Sequence, residues 1–247
     1  MSENHNMLSR YDDCNYTTQY DTVTADVFKI RNVYRQCQTE KLQLDAATAS
    51  FIIKELAKYH TRARRRNQLR EFLEEVYRES KSLKLVLNQR SLNCILDMYG
   101  NSREYNNMFA IFEDMKKMGL VDQVSMSCLI KNTSRRSLAE MMEYYHLMVE
   151  MNFKPCEKIF GTMAVGLYLR LKDADYEPVL KAVLSELANS DVPPDRTIDI
   201  LLSGLHRNGS QEDVQFATEE VKKLFSPTTE TQKLLPQEVN SQVWVIL

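Results

Sequence analysis

Apolar positions between residues 92 and 120 recur at helical spacing. Leu92, Ile95, Leu96 and Tyr99 form one stripe, and Ile111, Phe112, Met115 and Met118 form another, with a polar break at 100–104 between them. Apolar residues three and four apart mark one face of a 3.6-residue helix, so the pattern predicts a helix, a turn and a second helix. The second helix ends in "IFEDMKKMGL". The same ending returns 33 residues later as "YHLMVEMNFK", with Tyr145 for Phe112, Met148 for Met115, Asn152 for Gly119 and Phe153 for Leu120.

The first helices repeat as well. Met126, Leu129 and Ile130 make the next stripe, and Leu138, Met141 and Met142 open its partner helix. Asn93, Ser127 and Gly161 follow one another at intervals of 34, a helical-repeat period. Looser copies at 42–59 and 192–209 align Ser50 and Asp199 with them at spacings of 43 and 38, which imply insertions. Gly119 and Asn152 suit the left-handed conformation after a helix, and Pro155, Pro193 and Pro194 stop helices from continuing. One such unit cannot cover its own apolar face, so units must stack and share a core. The expectation is an all-α solenoid over 25–225, with Phe112, Met115, Tyr145, Met148, Leu184 and Leu187 in the core and a half-unit helix near 26–38. Residues 1–24 are expected to be flexible. In the tail, 226–247, the closing Val243, Trp244, Val245, Ile246 and Leu247 are expected to cap the last unit.

Composition narrows the class. Six glycines and six prolines in 247 residues argue against a turn-rich sheet protein, and a net charge of −2 gives no global positive field. Any polyanion must therefore meet a local basic face. Five widely spaced cysteines without a CxxC pair fit neither a disulfide framework nor a zinc site. There is no HExxH, GxSxG, Walker or GxGxxG pattern, and His5, His60, His146 and His206 are scattered, so neither catalysis nor a cofactor is expected. No stretch reaches the roughly 18 apolar residues of a membrane span. Glu3, Asp12, Asp13 and Asp21 give the N-terminus more acid than an organelle transit peptide carries.

The segments "RSLNCILDMY", "AIFEDMKKMGLVDQ", "YYHLMVEMNFKPC" and "VLSELANSDVPPD" together resemble the pentatricopeptide repeat (PPR) family. The tetratricopeptide repeat shares the period, but its Trp and Gly-Tyr pattern is absent here. The resemblance implies a right-handed α-solenoid of about four to five helix-turn-helix repeats that binds single-stranded RNA, with each unit reading about one base. Base-facing positions carried over from it are Ser50 with Asn88, Asn93 with Gln123 or Asp122, Ser127 with Cys156, and Gly161 with Asp195. The first pair resembles an adenine reader and Asn93 with Asp122 a uracil reader, whereas Ser-Cys and Gly-Asp depart from the usual pairings. The same short polar residues could instead cap helices.

Phosphate contacts are expected from in-phase cations: Lys54 and Lys131 at one position, and Lys58, Arg135 and Arg207 four residues on. Arg62, Arg64, Arg65, Arg66 and Arg70 form the densest basic cluster. It could neutralise phosphates, or pair with Glu71, Glu74, Glu75 and Glu79 along a helix. The resemblance further implies a role in RNA processing, stability or translation in a mitochondrion or other organelle, the cytoplasm being the alternative that the acidic N-terminus favours. A short array reads few bases, so a protein partner is expected to supply activity, and homodimerisation is open to its uncovered end faces. The competing class is a scaffold that binds proteins, such as a ribonucleoprotein subunit without RNA recognition of its own.

Overall fold

The computed structural model describes residues 17–60 and 66–225, with side chains over 27–57 and 69–225. Among the described residues there are eleven α-helices and no strand. Arg62, Arg64, Arg65 and the expected C-terminal cap lie outside the described residues, as do the side chains of Lys58 and Arg66. No described helix is long and apolar enough to cross a membrane.

The chain divides into two compact units, Met1–Leu120 and Val121–Leu247. The first contains α1 (Thr17–Thr39), α2 (Ala46–His60), α3 (Arg66–Ser82), α4 (Gln89–Asn101) and α5 (Tyr105–Lys117). Here α2 pairs with α3 and α4 with α5, while α2 and α4 stack on each other. The helix expected over 26–38 starts earlier, at Thr17. The second unit contains α6 (Gln123–Thr133), α7 (Leu138–Glu150), α8 (Glu157–Leu169), α9 (Tyr176–Ala188), α10 (Asp195–Asn208) and α11 (Gln211–Leu224). Its hairpins are α6–α7, α8–α9 and α10–α11, and they stack in two layers: α6, α8 and α10 in one, α7, α9 and α11 in the other.

The predicted apolar stripes are the cores of these stacks. Phe112, Met115, Tyr145, Met148, Leu184 and Leu187 are all buried, whereas Met118 is 46 % exposed because it caps α5 instead of continuing its stripe. In the second unit the first-helix layer closes tightly on glycines. A Cβ at Gly204 of α10 would stand 2.0 Å from the Tyr168 ring of α8, and one at Gly166 would stand 2.7 Å from Ser134 Cβ.

The recurring helix ending has a single geometry. After α5 the Leu120 N–H bonds to the Met115 carbonyl and the Gly119 N–H to that of Lys116; after α7, Phe153 and Asn152 bond likewise to Met148 and Val149. This is the two-bond closure in which one residue turns left-handed and the next, apolar, residue folds back on the helix. The same closure ends α1 and α3, where Leu42 and Leu85 are the returning residues. The left-handed residues at these four endings are Lys41 (φ 56°), Lys84 (φ 54°), Gly119 (φ 67°) and Asn152 (φ 61°), and Arg103 (φ 62°) takes the same conformation after α4. Two of the four are lysines, each accepting a penalty of about 1 kcal/mol that glycine avoids.

Second helices are also tied to one another by polar bonds. Tyr34 on α1 donates to Glu79 on α3, Lys81 on α3 reaches Asp114 on α5 at 3.0 Å, and Tyr145 on α7 donates to Glu186 on α9 at 3.1 Å. Lys181 on α9 stands over the Phe216 ring of α11 at 5.3 Å.

Candidate functional site

The first helices α2, α4, α6, α8 and α10 start in one register, which their hydrogen bonds define. The carbonyls of Asp45, Asn88, Asp122, Cys156 and Pro194 accept from the N–H four residues on, in Ala49, Leu92, Met126, Phe160 and Ile198. These five are the cap positions. Five residues past each cap lie Ser50, Asn93, Ser127, Gly161 and Asp199, the alignment the sequence period had given. Gln123 and Asp195 lie one residue inside their helices, so Asp122 and Pro194 are the counterparts of Asn88 and Cys156.

Several of these side chains serve the fold. Asn88 Oδ1 accepts the Ser91 N–H at 2.9 Å and the Ser91 hydroxyl at 3.0 Å, and that hydroxyl also lies 3.2 Å from the Ser50 carbonyl. Ser50 and Asn88, paired on sequence, are thus brought together through Ser91. Asp122 caps α6 by accepting the Ser125 N–H at 2.8 Å, in a reciprocal capping box. Cys156 caps α8 with no side-chain bond. Gln123 Nε2 donates to the Lys154 carbonyl at 2.9 Å, and Gln89, its counterpart one repeat earlier, donates to the Leu120 carbonyl at 3.0 Å. Both glutamines therefore fasten the loop that closes their own repeat.

At the fifth position accessibility differs along the chain. Ser50 and Asn93 are 6 % and 7 % exposed. Ser127 is half-buried and donates to the Gln123 carbonyl at 2.8 Å. Gly161 is buried, and a Cβ there would press on Ile200 Cδ1 at 3.2 Å. Asp199 is exposed.

The cations sit higher on the same helices or just past their ends. Lys54 and Lys131 are half-buried at one register position, and Arg135 and Arg207 are exposed at the next. A further row escaped the sequence reading: two residues past the cap stand Arg90, Lys158 and Arg196, all exposed, with Ala47 and Val124 in the other two units. The cap register would have revealed it. Arg196 pairs with Glu157 across the α8–α10 contact at 2.8 Å yet keeps its side chain 74 % exposed. In the first unit, burial and the Asp97 carboxylate push the Cys94 thiol up, while Arg90 from α4 and Lys54 from α2 oppose them. Arg70, the described member of the arginine cluster, binds Glu104 at 2.6 Å and lies 3.6 Å from Glu74, so it ties α3 to α5.

In the second unit, charge follows layer. Helices α6, α8 and α10 carry four basic and three acidic residues, whereas α7, α9 and α11 carry three basic and nine acidic. The first-helix layer is thus close to neutral, and the acid is concentrated in the other. Among the described residues, no group of three or more His, Cys, Asp or Glu side chains could hold a metal ion.

No family model matches the chain, and no curated protein matches it. Solved structures do. The fold is similar to that of the pentatricopeptide repeat protein PPR10 from maize, with a TM-score of 0.60 and 21 % identity, over 86 % of this chain and 29 % of that one. A cysteine-substituted PPR10 in complex with an 18-nucleotide psaJ RNA element matches with a TM-score of 0.50 and 17 % identity, over 89 % of this chain and 34 % of that one. The chain spans about a third or less of the solved chains it matches. The likeness is one of fold: this is an all-α, PPR-like helical-repeat solenoid.

Proposed function

We propose that the chain binds single-stranded RNA along its first helices and acts by binding rather than by catalysis. The observation that carries this reading is the segregation of charge in the second unit. Lys131, Arg135, Lys158, Arg196 and Arg207 recur in register on or beside first helices, while acid accumulates on second helices, in a chain of net charge −2. Cations repeating at the helix-stacking interval match a flexible strand whose phosphates can adjust to them; a rigid duplex cannot. PPR10, whose fold this chain shares, has been solved in complex with RNA, which supports the same reading.

Base preference is weak in this account. Ser50 and Asn93 present little surface, Gly161 offers no side chain, and Asp122 spends a carboxylate oxygen on its helix cap. Affinity therefore comes mainly from phosphates, and with few bases read, a protein partner supplies the target and any processing, stabilising or translational outcome in an organelle.

The test is fluorescence anisotropy of the purified chain with labelled single-stranded RNA, duplex RNA and single-stranded DNA of mixed sequence. Single-stranded RNA bound at least tenfold more tightly than duplex, and weakened by Lys131→Ala with Arg135→Ala, is the expected result. Equal binding to all three, or none near physiological salt, overturns the reading.

A further inference from the structure

The first unit leaves apolar side chains uncovered at the end where its stack begins. Residues three and ten past the cap of a first helix face the first helix before it: the Ser91 hydroxyl reaches the Ser50 carbonyl, and a Cβ at Gly166 or Gly204 would meet α6 or α8. The residue six past the cap shares that side, since Ile200 Cδ1 lies 3.2 Å from where a Cβ of Gly161 would stand. Three, six and ten past the cap make one helical face. In α4, α6, α8 and α10 that face is buried or half-buried throughout. In α2, the first of the series, Thr48 is exposed, Phe51 is 59 % exposed and Glu55 is half-buried.

Helix α1 adds a second wall. It ends in the closure of a second helix, with Lys41 at the left-handed position. Eight residues before that position, α3 and α5 place Val76 and Ile111, both buried, and each of these helices pairs with a first helix. The counterpart in α1 is Val33, and it is 61 % exposed. Leu42, which folds back after α1, is exposed as well, whereas its counterparts Leu85, Leu120 and Phe153 are half-buried. No described helix precedes α1, so its hairpin side and the stacking side of α2 are both left open. Apolar residues exposed singly are ordinary. Three that the repeat covers elsewhere, on the walls of one helix-sized slot, mark an interface.

We propose that α1 of a second copy of this chain fills the slot, in a two-fold dimer. Orientation is the first argument: the helices of a hairpin run antiparallel, and a two-fold axis lays two copies of α1 antiparallel. Charge is the second. Lys29, Val33, Gln36 and Glu40 are all exposed and fall on one face of α1. With the axis between Val33 and Gln36, Lys29 of each copy stands opposite Glu40 of the other, and Val33 opposite Gln36. Gln36 Nε2 donates to Glu40 Oε1 at 2.8 Å, which holds that carboxylate on the same face. Each pairing is made twice, as a self-complementary contact requires. The face belongs to a second-type helix and does not depend on the RNA reading.

The test is sedimentation equilibrium of the full chain between about 1 and 100 μM, a range over which such a contact dissociates by mass action. The expected result is a reversible monomer–dimer equilibrium. Val33→Glu is expected to weaken it about tenfold while leaving the circular dichroism spectrum unchanged. Lys29→Glu alone and Glu40→Lys alone are each expected to weaken it about fivefold, because like charges then stand opposite one another. An equimolar mixture of these two variants is expected to dimerise as tightly as wild type, since each supplies the charge the other has lost. A chain that stays monomeric throughout the range, a dimer untouched by Val33→Glu, or a mixture no tighter than its components overturns the proposal. A monomer whose Tm falls with Val33→Glu overturns it in favour of a cover from within the same chain.

Discussion

Substituting Gly204 by alanine tests the packing of the first-helix layer at its tightest point. The added methyl would lie 2.0 Å from Tyr168 Cδ1, 2.4 Å from Cγ and 2.5 Å from Cε1. These atoms are the root and flank of a ring, so the ring itself must move. In a helix interior the change from glycine to alanine is worth about 1 kcal/mol in favour of folding. Overpacking opposes it by about 1–3 kcal/mol. Driving the half-buried ring outward forfeits about 1–1.5 kcal/mol more, half of a full aromatic burial. The net expectation is a loss of about 1–3 kcal/mol, or a fall in Tm of about 2–10 °C for a chain of this size, read by circular dichroism at 222 nm. The sign then reverses in a Tyr168→Ala background, where nothing blocks the methyl and Gly204→Ala stabilises by about 1 kcal/mol. Gly204→Ala raising stability with Tyr168 in place, or the same effect in both backgrounds, would refute the packing argument.

Lys84→Gly and Gly119→Ala should move stability in opposite directions, the first gaining about 0.5 kcal/mol and the second losing about 1 kcal/mol, since both residues occupy the left-handed position after a second helix; urea titration gives both signs. Tyr145→Phe removes the bond to Glu186 and should cost about 1 kcal/mol, while the conservative Glu186→Gln, which keeps an acceptor, costs less. Asp45 is held below the usual carboxylate range by the backbone N–H and hydroxyl of Thr48. Because its folded pKa is depressed, the cap supports α2 fully above the ordinary carboxylate pKa and is lost as pH falls through the lower, folded value. A carboxyl ¹³C titration should place its midpoint below that of an ordinary aspartate and show it rising in Thr48→Ala.

The repeat was legible because stacking imposes the same chemistry every 34 residues or so: apolar stripes at helical spacing and a left-handed residue before a returning Leu or Phe. Gly119 and Asn152 announce that closure by their type. Lys41 and Lys84 adopt it under tertiary constraint, against their preference, which is why the first two endings were hidden. Site residues were harder to place because a short polar side chain at a helix start suits both capping and recognition. Asn88 and Asp122 prove to be caps in the folded chain, Gln123 proves to be a loop fastener, and only the carbonyl-to-amide bonds fixed the register that moves Asp195 one residue inward. The cationic row of Arg90, Lys158 and Arg196 depends on that same cap register. The arginine-rich connection showed both of its candidate roles in sequence, and Arg70 takes the ion-pairing one.

The central claim is that first-helix cations form a phosphate track, and the salt dependence of single-stranded RNA affinity measures it most directly. Each neutralised phosphate on a single strand contributes about 0.7 to the slope of log K against log salt. Wild-type chain is expected to show a slope of about −2 to −3, corresponding to three or four of the register cations. Lys131→Ala, Arg135→Ala and Lys158→Ala, added in turn, should each flatten it by about 0.7. A slope that stays unchanged as these cations are removed, or no salt-sensitive binding at all, would contradict the account.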